Sequence, residues 1–159
     1  AGIASGPGML VGAALALKGT DRLPVAVLGD GDYLMGVSAF WTAARYGIPF
    51  LAIIANNRSF YNDEIHQEKV AVSRERPVEN QWIGQHIGGP DIDLAAMARA
   101  QGVKAIGPVT NARDLKSAIE VALEDVRQGN AVVIDARITP GYSKAMSAGM
   151  TRTADETAE

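Results

Sequence analysis

Val25-Ala26-Val27-Leu28-Gly29-Asp30-Gly31 and Phe50-Leu51-Ala52-Ile53-Ile54-Ala55-Asn56-Asn57 decide how this chain folds. Each is a continuous apolar run that stops on small or polar residues, the pattern of a strand buried on both faces of a parallel sheet. Between them, Tyr33 to Tyr46 reads as one helix, with Val37, Phe40, Trp41 and Ala44 recurring at helical spacing and Trp41 expected in the core. Gly47 ends that helix and Pro49 prevents its continuation. Strand, helix and strand make a crossover unit with parallel strands and a right-handed connection. Their carboxyl ends then share one edge of the sheet, where open α/β sheets bind ligands. Asp30 and Asn57 should meet there.

The same alternation extends in both directions. Upstream, Pro7 suits a helix start and Met9 to Lys18 is small and apolar; Asp21 to Pro24 is a turn. Downstream, Asp93 to Gln101 reads as a short helix and Val103 to Ile106 as a short strand. Asn111 can cap a helix whose Leu115, Ala118, Ile119, Ala122 and Val126 form one stripe; Gly129 closes it, and Ala131 to Ala136 is a further strand. The expected class is α/β, a parallel sheet with helices on both faces. Residues 1–140 should form one domain and 141–159 a polar C-terminal tail, acidic at its end. The segment from Arg58 to Asp91 differs: polar, interrupted by Pro77 and Pro90, and weakly periodic only around Ile65 to Val72. Such a stretch inside a compact domain is usually functional or disordered.

Composition narrows the function classes. Of 159 residues 47% are apolar and 21% charged, with a net charge of −3, ordinary for a globular domain. No basic run offers a nucleic-acid footprint, since Arg74 and Arg76 are separated by Glu75. No apolar run reaches the roughly 20 residues of a membrane span, and no signal peptide is visible. The absence of cysteine fits a reducing cytoplasm. The chain opens on Ala1 within a glycine-rich approach to a helix, so a fragment of a longer polypeptide is expected.

The residue types at the shared sheet edge suit one task. Magnesium wants hard oxygen ligands and usually keeps phosphate oxygens in its shell. Asp30 can supply a carboxylate, Asn57 an amide oxygen, and the loop after Asn57 a backbone carbonyl. Gly29 and Gly31 let the backbone approach a phosphate, and the next helix offers its free N–H groups. Taken singly, Gly-Asp-Gly is more often a turn and Asn-Asn a loop signal. Rival nucleotide motifs fail: Gly6-Pro7-Gly8 lacks the third glycine of the Rossmann pattern, and Lys18-Gly19-Thr20 has the wrong order for a P-loop.

Gly-Asp-Gly followed about two dozen residues later by Asn-Asn, each closing a buried strand, is similar to the signature of thiamine diphosphate enzymes. Gly8 to Ala16 resembles the small-residue helix preceding that motif. Ser38 to Pro49 resembles the crossover helix of benzoylformate decarboxylase and its acetolactate synthase-like relatives, and Asp91 to Ala98 with Gly102 resembles the family's next helix. The resemblance implies thiamine diphosphate and Mg2+ as cofactors, with Asp30 and Asn57 as side-chain metal ligands and Ser59 giving its backbone carbonyl. It implies diphosphate contacts at Gly31 and Asp32, and Phe60 and Tyr61 on the cofactor and substrate cavity. Asp63 and Glu64 fall near an active-site acid of some decarboxylases, beside the plainer reading of an exposed helix start. Two departures stand out: Asp32 replaces a common Ser or Ala and puts a carboxylate near an anionic cofactor, from which it could turn away or reach the metal shell through water, and Ser59 replaces a frequent Gly. His66 and His86 read as surface residues.

The implied chemistry is cofactor catalysis on a small 2-oxo acid with loss of carbon dioxide. A benzoylformate decarboxylase-like lyase and an acetolactate synthase-like carboligase both fit, and a non-catalytic cofactor-binding subunit is the rival from another class. The family's activating glutamate belongs to a pyrimidine-binding domain of the same or a partner subunit, so a homodimer or homotetramer is implied. The apolar helix from Gly8 to Leu17 is expected to pack against that partner.

Overall fold

The structure, a computed structural model, describes residues 2–141. Its elements run α1 (Ser5–Leu17), β1 (Val25–Gly29), α2 (Asp30–Gly36), α3 (Ala39–Tyr46), β2 (Phe50–Asn56), α4 (Tyr61–Ser73), α5 (Leu94–Ala100), β3 (Lys104–Val109), α6 (Ala112–Arg127) and β4 (Ala131–Arg137). The four strands form one parallel sheet in the order β1-β2-β4-β3. Apart from Gly141, the expected tail lies outside the described residues.

The continuous apolar runs of β2 and β4 are explained by their central places. Phe50, Ala52, Ile54 and Val133 face a core roofed by α1, α2, α3 and α5, while Leu51, Val132 and Ile134 face α6. Fully buried Phe40 sits at the centre of the larger core, its ring 5.8 Å from Tyr33 and 4.8 Å from Phe50. The stripe expected on α6 is the one it presents, and Asn111 caps it by accepting from the Asp114 N–H at 3.0 Å. Asp93 caps α5 in the same way through Ala96 at 2.7 Å.

Two expectations need correction. Tyr33 to Tyr46 is two helices: the chain tightens to three-residue bonds, Phe40 N–H to the Val37 carbonyl and Trp41 N–H to the Ser38 carbonyl, just after Gly36, where a β-carbon would stand 2.6 Å from the Ala4 carbonyl oxygen. The helix resumes at Ala39, and Val37, Phe40 and Ala43 face the core. Trp41 is 57% exposed and Ala44 is exposed as well. β1, read as buried on both faces, is an edge strand with Val25 and Val27 exposed. The α6 side of the sheet covers β2 and β4 but leaves these two valines bare. The weakly patterned stretch after Arg58, left open between functional and disordered, forms α4 and a series of turns, although α4 has no buried residue.

Candidate functional site

The register of β1 on β2, ending with Gly29 beside Ala55, sets the two motif loops side by side at the carboxyl edge. Gly29 precedes the first turn of α2, and Asp30 begins it with its side chain only 2% exposed. Asp30 Oδ1 accepts the N–H of Gly31 at 2.9 Å, and Oδ2 accepts the N–H of Arg58 at 2.5 Å. Arg58 can donate there because it adopts the left-handed conformation, φ 59°, uncommon for a side-chain-bearing residue and typical of loops held by their surroundings. Burial pushes the Asp30 carboxyl above its ordinary value, opposed by hydrogen bonds from Gly31, Arg58 and Ser59. A bound cation would favour the ionised form.

Half-buried Asn57 turns its Oδ1 to the N–H of Ser59 at 2.9 Å. Ser59 is buried and its hydroxyl donates to Glu64 in the first turn of α4. Opposite it, His86 pairs as an isolated antiparallel bridge: Phe60 N–H reaches the Gln85 carbonyl at 3.0 Å and Ile87 N–H the Arg58 carbonyl at 2.8 Å. Neither bond uses the Ser59 carbonyl. Phe60 lies flat against the backbone of Gly31, where a β-carbon would come within 2.1 Å of its ring, so only glycine admits this approach.

A cavity of about 350 Å³ opens between the two loops, lined by Gly29, Asp30, Gly31, Asp32, Ser59, Phe60, Tyr61 and Asp63. Asp32 turns its carboxylate toward the start of α1, accepting a long hydrogen bond of 3.4 Å from Gly6. That orientation removes the difficulty of a carboxylate beside an anion, because the charge meets the positive end of a helix instead. Asp63 and Glu64 occupy the first turn of α4, where negative charge is favourable on the same ground. A larger hollow of about 540 Å³ lies between the end of β3 and α6, lined by Gly107, Pro108 and Val121 and by none of the motif residues.

The sheet edge thus gathers Asp30, Gly31, Asn57, Ser59, Phe60 and Tyr61. Among the described residues no cluster of three or more His, Cys, Asp or Glu side chains could hold a metal. A cation here would have one carboxylate and would need oxygens from an anionic ligand. Sequence reading missed the strap from Gln85 to Ile87 and the buried pair behind the loop, Asn56 and Asp135. The strap has no sequence signal, whereas Asp135 is conspicuous as the lone acid inside the apolar run Ala131 to Ala136.

The comparisons agree with this geometry. Residues 1–136 match the family model described as thiamine pyrophosphate enzyme, C-terminal TPP binding domain. The chain is 30% identical over 142 residues to a protein of Bacillus subtilis (strain 168) named for containing thiamine pyrophosphate, covering 84% of this chain and 23% of that one. It is 30% identical over 122 residues to the benzoylformate decarboxylase of Pseudomonas aeruginosa, covering 77% and 21%. Among solved structures, the thiamine diphosphate-dependent 4-hydroxybenzoylformate decarboxylase of Rhodococcus jostii RHA1 superposes with a TM-score of 0.66 at 27% identity, over 89% of this chain and 24% of that one. The chain spans about a quarter of the length of these relatives.

Proposed function

The chain belongs to the thiamine pyrophosphate enzymes as a C-terminal TPP binding domain, and on that premise we propose that it seats the diphosphate and its magnesium in an enzyme that decarboxylates a 2-oxo acid of the benzoylformate type. One observation carries the reading: the buried Asp30 carboxylate and Ser59 line one cavity at the ends of adjacent parallel strands, and Asn57, on the same loop, lines the adjoining hollow that also meets Ser59. The donor set fits magnesium. One carboxylate, one amide oxygen and one backbone carbonyl are hard ligands, and diphosphate oxygens would complete the shell. The glycine cradle fits too, since a β-carbon at position 31 would collide with Phe60 and narrow the cavity.

In this reading Asp30, Asn57 and the Ser59 carbonyl hold the metal, and the Gly29 and Gly31 backbone faces the diphosphate. Phe60 and Tyr61 form the wall that keeps water from the cofactor. Glu64, fixed by the Ser59 hydroxyl, and Asp63 stand at the substrate side as candidate proton carriers. When bound, thiamine diphosphate supplies the electron sink that makes loss of carbon dioxide feasible. The activating glutamate comes from a pyrimidine-binding domain of the same or a partner subunit. Exposed Met9 and Leu15 on α1 give that domain an apolar face to cover. The likeness to the Rhodococcus and Pseudomonas decarboxylases supports a lyase over a carboligase.

Calorimetric titration of the intact enzyme tests the seat. Asp30→Ala should weaken thiamine diphosphate binding in the presence of Mg2+ by about 100-fold or more, the cost of removing a charged partner. Unchanged affinity would remove Asp30 from the site. Product analysis with benzoylformate, giving benzaldehyde and carbon dioxide rather than a ligated product, tests the reaction class.

A further inference from the structure

Behind the metal loop, on the core side of the sheet, lies a polar pair that the cofactor seat does not use. Asp135 of β4 is fully buried and Asn56, the last residue of β2, is 3% exposed. Asn56 Nδ2 donates to Asp135 Oδ1 at 2.8 Å. The register sets Ile54 beside Asp135 and Asn56 beside Arg137, so the bond runs diagonally across two neighbouring strands. Asp135 Oδ2 has no hydrogen-bond partner among the described residues. Beside Asp135, β3 shifts register between Ile106 and Val109, and at Gly107, φ 140°, a β-carbon would stand 2.8 Å from both the Asp135 β-carbon and its carbonyl oxygen.

The carboxyl interrupts an otherwise apolar run, with Val133 and Ile134 fully buried beside it, and removing it would leave the buried Asn56 amide without its partner. What the carboxyl does is hold Asn56. The backbone carbonyl of Asn56 also accepts from Ile138 N–H at 3.0 Å, so this residue is fixed through side chain and main chain alike. The next residue is Asn57, and the chain turns at left-handed Arg58 immediately after.

We propose that Asp135 is a positioning residue for the metal loop: by gripping the Asn56 amide it fixes the point from which Asn57 and Ser59 present their oxygens to the cation. This rests on the metal reading given above. Hydrogen-bond partners of metal ligands typically govern affinity by about 10–100-fold, and a grip on Asn56 would act on the neighbouring ligand Asn57 through the main chain.

Mn2+ binding to the intact enzyme, followed by electron paramagnetic resonance with thiamine diphosphate present, tests the role beside melting temperature. Asp135→Val should weaken Mn2+ by about 10–100-fold. Asp135→Asn, which keeps an acceptor oxygen, should remain within about threefold of the unmodified enzyme. Asn56→Ala should lose as much as Asp135→Val, and the double variant no more than either. A residue serving the strand alone would lower the melting temperature and leave Mn2+ affinity unchanged, which overturns the proposal. A double variant whose loss is the product of the single losses overturns it as well. If Asp135→Val does not fold, Asn56→Ala decides: normal Mn2+ affinity in that variant defeats the role. Asp30→Ala guards the premise. Normal Mn2+ binding there would defeat the metal reading itself, whereas loss there with retention in Asp135→Val defeats only the positioning role.

Discussion

On one side of the cavity Asp30 and Gly31 close a strand and open a helix that rests on fully buried Tyr33, Phe40 and Phe50. On the other, Tyr61 to Ser73 form a helix with no buried residue, held by the Ser59–Glu64 hydrogen bond and the strap to Gln85 and Ile87. The two sides carry different duties. Charge must be met by groups already in place, because reorganising dipoles around a diphosphate would cost part of its binding. A wall that excludes water has no such demand and can be built from local bonds. Contact density decides local stability, so the two sides should open independently.

The largest effect expected from this contrast is at Phe40. Its ring is fully buried between Tyr33 and Phe50, and Phe40→Ala should cost about 3–5 kcal/mol. In the intact enzyme this should appear as a loss of roughly two to four powers of ten in amide exchange protection across Leu51 to Ile54. Protection in α4 should hardly change. An equal loss in both places would show one cooperative unit and end the comparison.

What could be read from the sequence follows the same division. The two motif loops were legible because apolar runs, stop signals and parallel pairing are local features that fix a shared edge. The caps at Asp93 and Asn111 and the stripe on α6 were legible for the same reason. The helix break was not, because Val37 and Ser38 keep helical dihedrals and only the bonding pattern changes, and periodicity carries no record of the contact between Gly36 and Ala4. Nor was the bareness of β1: Val25 to Leu28 looks like the runs in β2 and β4, and only strand order makes it an edge. The Asn56–Asp135 bond joins residues 79 positions apart and escaped for that reason.

A smaller effect belongs to the seam between the two sides. A β-carbon at position 31 would meet the Phe60 ring at 2.1 Å, and forcing a methyl into such a contact costs about 1–3 kcal/mol. Gly31→Ala should therefore push Phe60 and the start of α4 outward, weakening cofactor binding by roughly 10–100-fold in calorimetry. Because the collision is with the ring, Phe60→Ala in the same chain should recover much of that loss. Failure of this second change to rescue would mean that Gly31 acts through direct backbone contact with the diphosphate, and the seam would not matter.

The smallest effect should come from Val72, 63% exposed near the end of α4. The helix presents no buried residue, so Val72 gives up little apolar contact when shortened. Surface changes away from caps and networks usually stay within about 0.5 kcal/mol, and Val72→Ser should do so. The melting temperature of the intact enzyme should accordingly move by no more than a few degrees, with thiamine diphosphate affinity unaltered. A larger loss has a definite meaning. If Val72→Ser destabilises the enzyme by more than about 1 kcal/mol, the side chain must be covered by another domain or subunit. The thinly held side of the cavity would then owe its order to that partner, and its independence from the sheet would be a property of this domain alone.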